Sequence, residues 1–310
     1  MDFSIIIPAK NEEANIGRCL QSISELDYDP ARFEVIVVDN GSSDKTVEIA
    51  RRYGAVVFVL PELTVAGLRN FGAREAKGDI LAFLDADCTV DNQWLKAASF
   101  YLERQHKIPA FGSPVILPEN ATWVQITWYQ VRGKPEQIIP VEWLESANLF
   151  VLRKSFWNVQ GFNEALETCE DYDLTQRLKS IGTLMSDFRV KAIHYREPAT
   201  VKEFFKKEIW RSKSNYRGLL ARKIDLNEVP SLVLPIIYGM FCLASALGIL
   251  AAVAMGEGAF WLVISLCCWQ FPIMLVSLRK GLKLGPVGVI RLFCLFNVYF
   301  SARSIGPLFR

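Results

Sequence analysis

The sequence predicts an α/β domain built on a parallel sheet covered by helices, followed by a membrane-embedded C-terminal region. Three observations point there. Short apolar strands alternate with helix-patterned segments through the first half of the chain. One of these strands, Ile80–Leu84, runs directly into Asp85-Ala86-Asp87. From Ser231 onward the chain is dominated by long apolar runs.

The elements follow in order. Phe3–Pro8 reads as a strand, and the next segment places Ile16, Leu20 and Ile23 on one helical face. Phe33–Val38 is a second strand, Asp44–Tyr53 a helix, Ala55–Leu60 a third strand and Val65–Lys77 a helix. Ile80–Leu84 is the fourth strand. This βαβαβαβ order predicts a parallel sheet. Near-continuous apolar strands such as Val35-Ile36-Val37-Val38 suit burial on both faces. Further on, Ser146–Leu152 reads as a strand and Arg153–Val159 as a short helix.

Ser231–Ala254 and Ala259–Leu278 contain no charged residue. Each is long enough to cross a hydrocarbon core of about 30 Å at about 1.5 Å per residue. Met255-Gly256-Glu257-Gly258 separates them, which predicts a tight helical hairpin. Arg222 and Lys223 precede the hairpin, and Arg279, Lys280 and Lys283 follow it. By the positive-inside bias, both flanks and the N-terminal domain face the cytoplasm. A third apolar stretch, Leu284–Phe309, carries Pro286, Arg291, Asn297 and Arg303. Two readings stand open for it: a third span with Arg291 turned inward, or an interfacial helix. The expected division is 1–200 for the soluble domain, 201–229 for a basic juxtamembrane segment and 230–310 for the membrane domain.

With 35 basic against 33 acidic residues, net charge gives no reason to expect a nucleic-acid partner. The seven cysteines form no C-x-x-C pair, so neither a disulfide framework nor a zinc site is expected. The N-terminus enters a strand at once, without a signal-peptide pattern, and the first domain is expected in the reducing cytosol. His106 suggests no role.

In open α/β sheets, ligands bind beyond the carboxyl ends of the strands. Three such ends here are polar: Pro8-Ala9-Lys10-Asn11-Glu12-Glu13, Asp39-Asn40-Gly41-Ser42-Ser43-Asp44 and Asp85-Ala86-Asp87. Their convergence indicates a nucleotide site. No G-x-G-x-x-G follows the first strand and no G-x-x-x-x-G-K-[ST] occurs, which sets aside dinucleotide folds and P-loop NTPases. Asp85 and Asp87 share one side of an extended strand, and such oxygen ligands suit a hard divalent cation. Asn40-Gly41 is also a turn signal, and Ser43 or Asp44 is suited to cap the next helix.

Those three segments, in this order over about residues 3–215, resemble family 2 glycosyltransferases of the GT-A fold. The resemblance implies a Rossmann-like mixed sheet, a nucleotide-diphosphate sugar donor, a divalent metal (Mn²⁺ or Mg²⁺) and inversion at the anomeric carbon. By the same resemblance Pro8, Ala9, Glu12 and Asp39 hold base and ribose, Arg69 faces the nucleotide, Asp85 lies near ribose or metal, and Asp87 is the metal ligand. His194 completes the metal or diphosphate site. Glu170-Asp171-Tyr172-Asp173-Leu174-Thr175-Gln176-Arg177-Leu178 fits the family's acceptor motif, with Asp171 as general base beside Glu170. An acidic cluster at a helix start also suits the helix dipole.

Val201–Lys223 carries eight basic residues interleaved with Phe204, Phe205, Ile209, Trp210 and Tyr216. This reads as an amphipathic helix on anionic lipids, with a lipid-linked or glycolipid acceptor following from it. The Gln-x-x-Arg-Trp motif of processive family members is missing; the nearest segment is Lys207-Glu208-Ile209-Trp210-Arg211. Transfer of one sugar, from a UDP-sugar as the favoured donor, is therefore expected at the cytoplasmic face of the cell inner (plasma) membrane. Two alternatives stand: a polyprenyl-phosphate sugar synthase, and a membrane sensor or scaffold that binds a nucleotide sugar without turnover.

Overall fold

The computed structural model describes residues 1–102, 107–132, 137–221, 229–254 and 258–306; the helix side chains at 132, 213–221, 229–232, 252 and 258–268 lie outside that description. His106, Cys267, Cys268, Arg222, Lys223, the expected turn Met255-Gly256-Glu257 and the side chains of Lys213, Tyr216 and Arg217 are therefore outside the described residues. The chain divides into two compact units, Met1–Glu119 with Lys134–Arg196, and Asn120–Gly133 with Glu197–Arg310.

The first unit opens with β1 (Phe3–Ala9), α1 (Ile16–Ser24), β2 (Phe33–Asp39), α2 (Thr46–Arg52), β3 (Val56–Val59), α3 (Val65–Glu75) and β4 (Ile80–Leu84). Every residue of β1 and β4 is buried, as the continuous apolar runs require of strands covered on both faces. β1 is parallel to both β2 and β4, and β2 is parallel to β3. The β1–β4 ladder runs from Phe3↔Ile80 to Ile6↔Phe83, near the end of β4 at Leu84. Asp44 precedes α2 rather than starting it: its carboxylate accepts from the Thr46 N–H at 3.0 Å in a local Asx turn, while Lys45 holds the N-cap position.

Next come β5 (Cys88–Val90), α4 (Trp94–Ser99) and β6 (Ala110–Gly112); α5 (Trp123–Arg132) belongs to the second unit. The first unit resumes with β7 (Ile139–Pro140), β8 (Asn148–Leu152), α6 (Arg153–Asn158), α7 (Glu170–Lys179), β9 (Leu184–Ser186) and β10 (Ala192–His194). The main sheet has the order β3-β2-β1-β4-β8-β6-β9-β7. β8 is antiparallel to both β4 and β6, so the parallel half read from the βαβ order is completed into the mixed sheet that the family resemblance implied. The reason is topological. The parallel βαβ pattern ends at β4, and the chain re-enters the sheet beside β4 from the end that β4 leaves. β5 and β10 form a separate antiparallel pair in which His194 faces Cys88.

Two hydrophobic clusters lie on the faces of the sheet. One gathers Ile5, Ile7, Leu20, Trp94 and Phe150, the other Ile6, Val38, Leu81, Phe83 and Phe156. Alternate residues of β1 feed opposite clusters, as strand geometry dictates. Asn148 is fully buried at the start of β8. It accepts from Trp94 Nε1 at 3.0 Å and donates to Ser113 Oγ at 3.0 Å and to the Val190 carbonyl at 2.7 Å.

The second unit is helical: α5, α8 (Val201–Ala221), α9 (Val229–Ala254), α10 (Gly258–Gly281) and α11 (Gly285–Ile305). Phe204 of α8 packs with Val124 of α5 and Leu295 of α11. Glu208, fully buried, bridges Arg211 and Arg303, each at 2.8 Å. Two helical stretches, Val233–Ala251 and Trp269–Ile305, are long and apolar enough to cross a membrane. Many of their apolar side chains point outward, with Met240 66%, Leu250 67% and Ile290 68% exposed, while Ile273, Leu292 and Leu295 are buried in the helical unit. The inward reading of Arg291 does not hold. It is exposed, with its guanidinium 5.9 Å above the Trp123 ring, and so avoids burying an unpaired charge.

Gly78 precedes β4 where a Cβ would lie 2.5 Å from backbone atoms of Phe3 and Ser4, and its N–H donates to Ser4 Oγ at 2.8 Å. Gly78→Ala should therefore force β1 and β4 apart and lower stability by about 1–3 kcal/mol. A thermal-unfolding midpoint unchanged from wild type would contradict this close approach.

Candidate active site

The carboxyl ends of β1, β2 and β4 share one edge because the three strands are parallel neighbours. The two loops after β1 and β2 interlock. The Asn11 N–H donates to Ser42 Oγ at 2.8 Å, the Glu12 N–H to Thr46 Oγ1 at 2.7 Å, and the Ser43 N–H to Asn11 Oδ1 at 2.9 Å. Asn11 adopts a left-handed conformation (φ 52°), which asparagine tolerates through local side-chain bonding. Pro8 and Ala9 are buried in β1, with Ala9 paired to Asp39. Asp39 is fully buried and spends its oxygens on Ser42: Oδ2 accepts the Ser42 N–H at 2.8 Å, and Oδ1 accepts the Ser42 hydroxyl. Each Asp39 oxygen thus already holds one hydrogen bond, with a second lone pair left on each. Glu12 accepts from Asn15 Nδ2 at 2.8 Å and from the Arg196 guanidinium.

Arg69, on α3, is 3% exposed and lies between two carboxylates. Its Nη2 donates to Asp85 Oδ1 at 2.7 Å, and its Nη1 to Glu170 Oε1 at 2.7 Å. The guanidinium is thus spent inside the protein, while Nε is buried without a hydrogen-bond partner. Neighbouring Asn70 pins the turn before α7: its amide bonds the Phe162 carbonyl at 2.9 Å and Glu164 at 2.8 Å, and its oxygen accepts the Phe162 N–H at 2.9 Å. Asp85 and Glu170, far apart in sequence, are thereby joined through one cation.

Asp171 follows Glu170 in the first turn of α7. Its Oδ1 accepts the Tyr172 N–H at 2.8 Å, and its Oδ2 lies 3.4 Å from the Ser146 nitrogen. The adjoining Ala147 carbonyl lies 3.4 Å from the Asp85 nitrogen, which brings Asp171 round to the Asp85–Asp87 segment. Burial, reinforced by the charge of Glu170, pushes the Asp171 carboxyl up to about 7. A carboxylate tuned close to neutral pH is suited to accept a proton. Asp173 plays a different part, bonding Arg177 Nε at 3.0 Å along its own helix.

Asp87 Oδ2 lies 3.2 Å from His194 Nε2, and the Asp87 carbonyl accepts the Tyr195 N–H at 3.0 Å. His194 is the last residue of β10 rather than a residue beyond it. Burial opposes ionisation of Asp87, but the hydrogen bond from His194 holds its carboxyl below the usual range. Ligand atoms of Asp87, Cys88 and His194 all lie within 4.8 Å of one another. This oxygen–nitrogen set fits a divalent cation. Burial, with Asp85 and Asp87 close by, pushes the Cys88 thiol far up. Hard cations such as Mn²⁺ and Mg²⁺ favour the oxygen of Asp87 over a thiol sulfur. Reading the sequence singled out His194 but missed Cys88, Asn148 and Arg196. The first two become visible only through cross-strand neighbours. Arg196 had one signal, its place two residues beyond His194.

Arg69→Met should leave buried Glu170 and half-buried Asp85 without their shared counter-charge and cost about 3 kcal/mol. Thermal unfolding of the detergent-solubilised variant measures this, with Arg69→Lys expected between the two. Equal stability of Met variant and wild type would contradict the bridge.

The sequence profile described as "Glycosyl transferase family 2" matches residues 4–161. Glycosyltransferase AglE of Haloferax volcanii is 30% identical over 248 residues, covering 76% of this chain and 80% of that protein. Among solved structures, Staphylococcus aureus TarS (residues 1–349) in complex with UDP-GlcNAc superposes with a TM-score of 0.53 at 17% identity, covering 98% of this chain and 91% of that one. The mannosyltransferase PcManGT of Pyrobaculum calidifontis, in complex with GDP-Man and Mn²⁺, gives 0.61 at 16% identity, covering 99% and 87%. These two likenesses bear on the fold alone, and that fold is the GT-A arrangement of a mixed α/β sheet. Profile, relative and fold agree with the site's clustered carboxylates: the chain belongs to glycosyl transferase family 2 and is a glycosyltransferase that uses a nucleotide-sugar donor.

Proposed function

We propose that this chain transfers a single sugar, with inversion, from a nucleotide-diphosphate donor to a hydroxyl of a lipid-linked or glycolipid acceptor. The observation that carries this reading is the placement of Asp171. It is a carboxyl raised to about 7, reached from the Asp85–Asp87 segment through Ser146 and Ala147.

In this reading Glu12, Asp39 and the buried Pro8–Ala9 end of β1 receive base and ribose. Glu170 and Asp85, tied through Arg69, hold the two sides of the site in register. Asp171 takes the proton from the acceptor hydroxyl as that oxygen attacks the anomeric carbon, and the bond to the nucleoside diphosphate breaks on the opposite face. Asp87 and His194 would hold Mn²⁺ or Mg²⁺, which when bound neutralises charge on the leaving diphosphate. UDP is the favoured leaving group. TarS was solved with UDP-GlcNAc and PcManGT with GDP-Man, so the base is a matter for assay.

The outward-facing apolar helices α9–α11 support a membrane location. Positive charges flanking the expected hairpin support the cytoplasmic side of the inner (plasma) membrane. Exposed Lys202, Lys206 and Trp210 on α8 supply part of a surface for anionic lipids. Phe204 and Glu208, by contrast, are turned into the helical unit.

Nucleoside-diphosphate release from UDP-, GDP- and dTDP-sugars, with a membrane lipid extract as acceptor source, tests the reaction. Asp171→Asn should lower turnover by about 10²–10⁴-fold. In wild type, kcat/KM should rise with pH and level off above about 7, because only the ionised carboxylate accepts a proton. Activity that survives Asp171→Asn would overturn the hydroxyl acceptor in favour of a lipid phosphate, which brings no proton to remove. In nanodiscs, Trp210 emission should shift to the blue when anionic lipid replaces zwitterionic lipid, and Trp210→Phe should remove the shift; an unchanged spectrum would refute the lipid contact.

A further inference from the structure

The His194-Tyr195-Arg196 segment is anchored residue by residue at the donor edge. His194 Nε2 meets Asp87 Oδ2 at 3.2 Å, and the Tyr195 N–H donates to the Asp87 carbonyl at 3.0 Å. The guanidinium of Arg18 lies 4.1 Å above the Tyr195 ring. Arg196 then reaches across to the Glu12 carboxylate after β1, with its own side chain 57% exposed. One cation thus stands between a carboxylate on the nucleoside side and a carboxylate on the metal side of the edge.

The other cations at this edge are committed differently. Arg69 is 3% exposed with both terminal nitrogens on carboxylates. Lys10 donates to the neutral Asn40 amide at 2.7 Å, and Arg18 to the Ala14 carbonyl at 3.2 Å and the neutral Asn15 amide at 2.8 Å. Arg196 alone of these four is a solvent-facing fork with a carboxylate partner. Exposed ion pairs are weak, so exchanging this one for another anion costs little. A guanidinium matches a phosphate with two parallel hydrogen bonds, an arrangement a point charge cannot reproduce.

We propose that Arg196 binds the diphosphate of the donor and that Glu12 holds it in reserve beforehand. On donor binding the guanidinium moves from Glu12 to the phosphate oxygens. The same exchange releases a Glu12 oxygen to accept a hydrogen bond from the nucleoside. This rests on the nucleotide-sugar donor assigned to the site.

The test is binding without turnover, using the full-length protein in detergent with Mg²⁺. Affinities for UDP and GDP are measured by calorimetry, and those for uridine and guanosine by ligand-observed NMR. Arg196→Gln should weaken the diphosphate by about tenfold or more while leaving the nucleoside within about twofold, and Arg196→Lys should recover part of the loss. Equal weakening of nucleoside and diphosphate would overturn the proposal, because the arginine would then serve only to order Glu12. No change in either affinity would overturn it as well. If wild type binds neither diphosphate, the donor reading itself falls and this proposal falls with it; binding by wild type that Arg196→Gln retains rejects the proposal alone.

Discussion

Arg69 is a guanidinium removed from water and compensated by two carboxylates, Asp85 from the end of β4 and Glu170 from the start of α7. A buried charge of this kind holds its partners tightly, since separating any one leaves an unpaired ion in a poor solvent. The helix that carries it also presents Asn70, which fastens the turn around Phe162. Together the two residues dock the start of α7 onto the carboxyl edge of the sheet. Asp171 depends on this arrangement. Its neighbour Glu170 is committed to Arg69, while Asp171 itself sits half-buried beside that negative charge and is pushed towards neutral pH.

The mixed sheet is the second condition. Parallel packing of β1, β2 and β4 delivers three polar segments to one edge. The antiparallel return of β8 then brings Ser146 and Ala147 to the same edge, against Asp171 and Asp85. The loops bond largely to each other: Asn11 with Ser42 and Ser43, Asp39 with Ser42, and Asp44 with Glu13 and Thr46. Such cross-bonding satisfies backbone donors that no strand or helix can reach. The edge is held in shape before a ligand arrives, at the expense of leaving Asp39 and Glu12 already partnered.

The helical unit obeys a different balance. Its interior relies on aromatic contacts, such as Trp128 against Phe204 at 4.7 Å, and on the buried Glu208–Arg303 pair. Among the described residues, the outer surface of α9 to α11 is largely apolar. Water gives such a surface no reason to stay exposed, whereas a hydrocarbon solvent does.

Much of this was legible in the chain before folding. The order of the first four strands and three helices, the Ile80–Leu84 boundaries and the charge-free C-terminal runs are local properties, set by periodicity and by burial preference along the chain. The candidate carboxylates Asp85, Asp87, Glu170 and Asp171 could be named from residue type and spacing. Tertiary structure decided what each side chain meets. It turned Arg69 inward to two carboxylates, reversed β8, buried Asn148, set Cys88 opposite His194, kept Arg291 at the surface, grouped Asn120–Gly133 with the C-terminal helices and brought Arg196 to Glu12. Periodicity reports how a segment divides between solvent and interior. The partner of a buried charge depends on strand direction and crossover, which involve residues a hundred or more positions away and leave no local pattern.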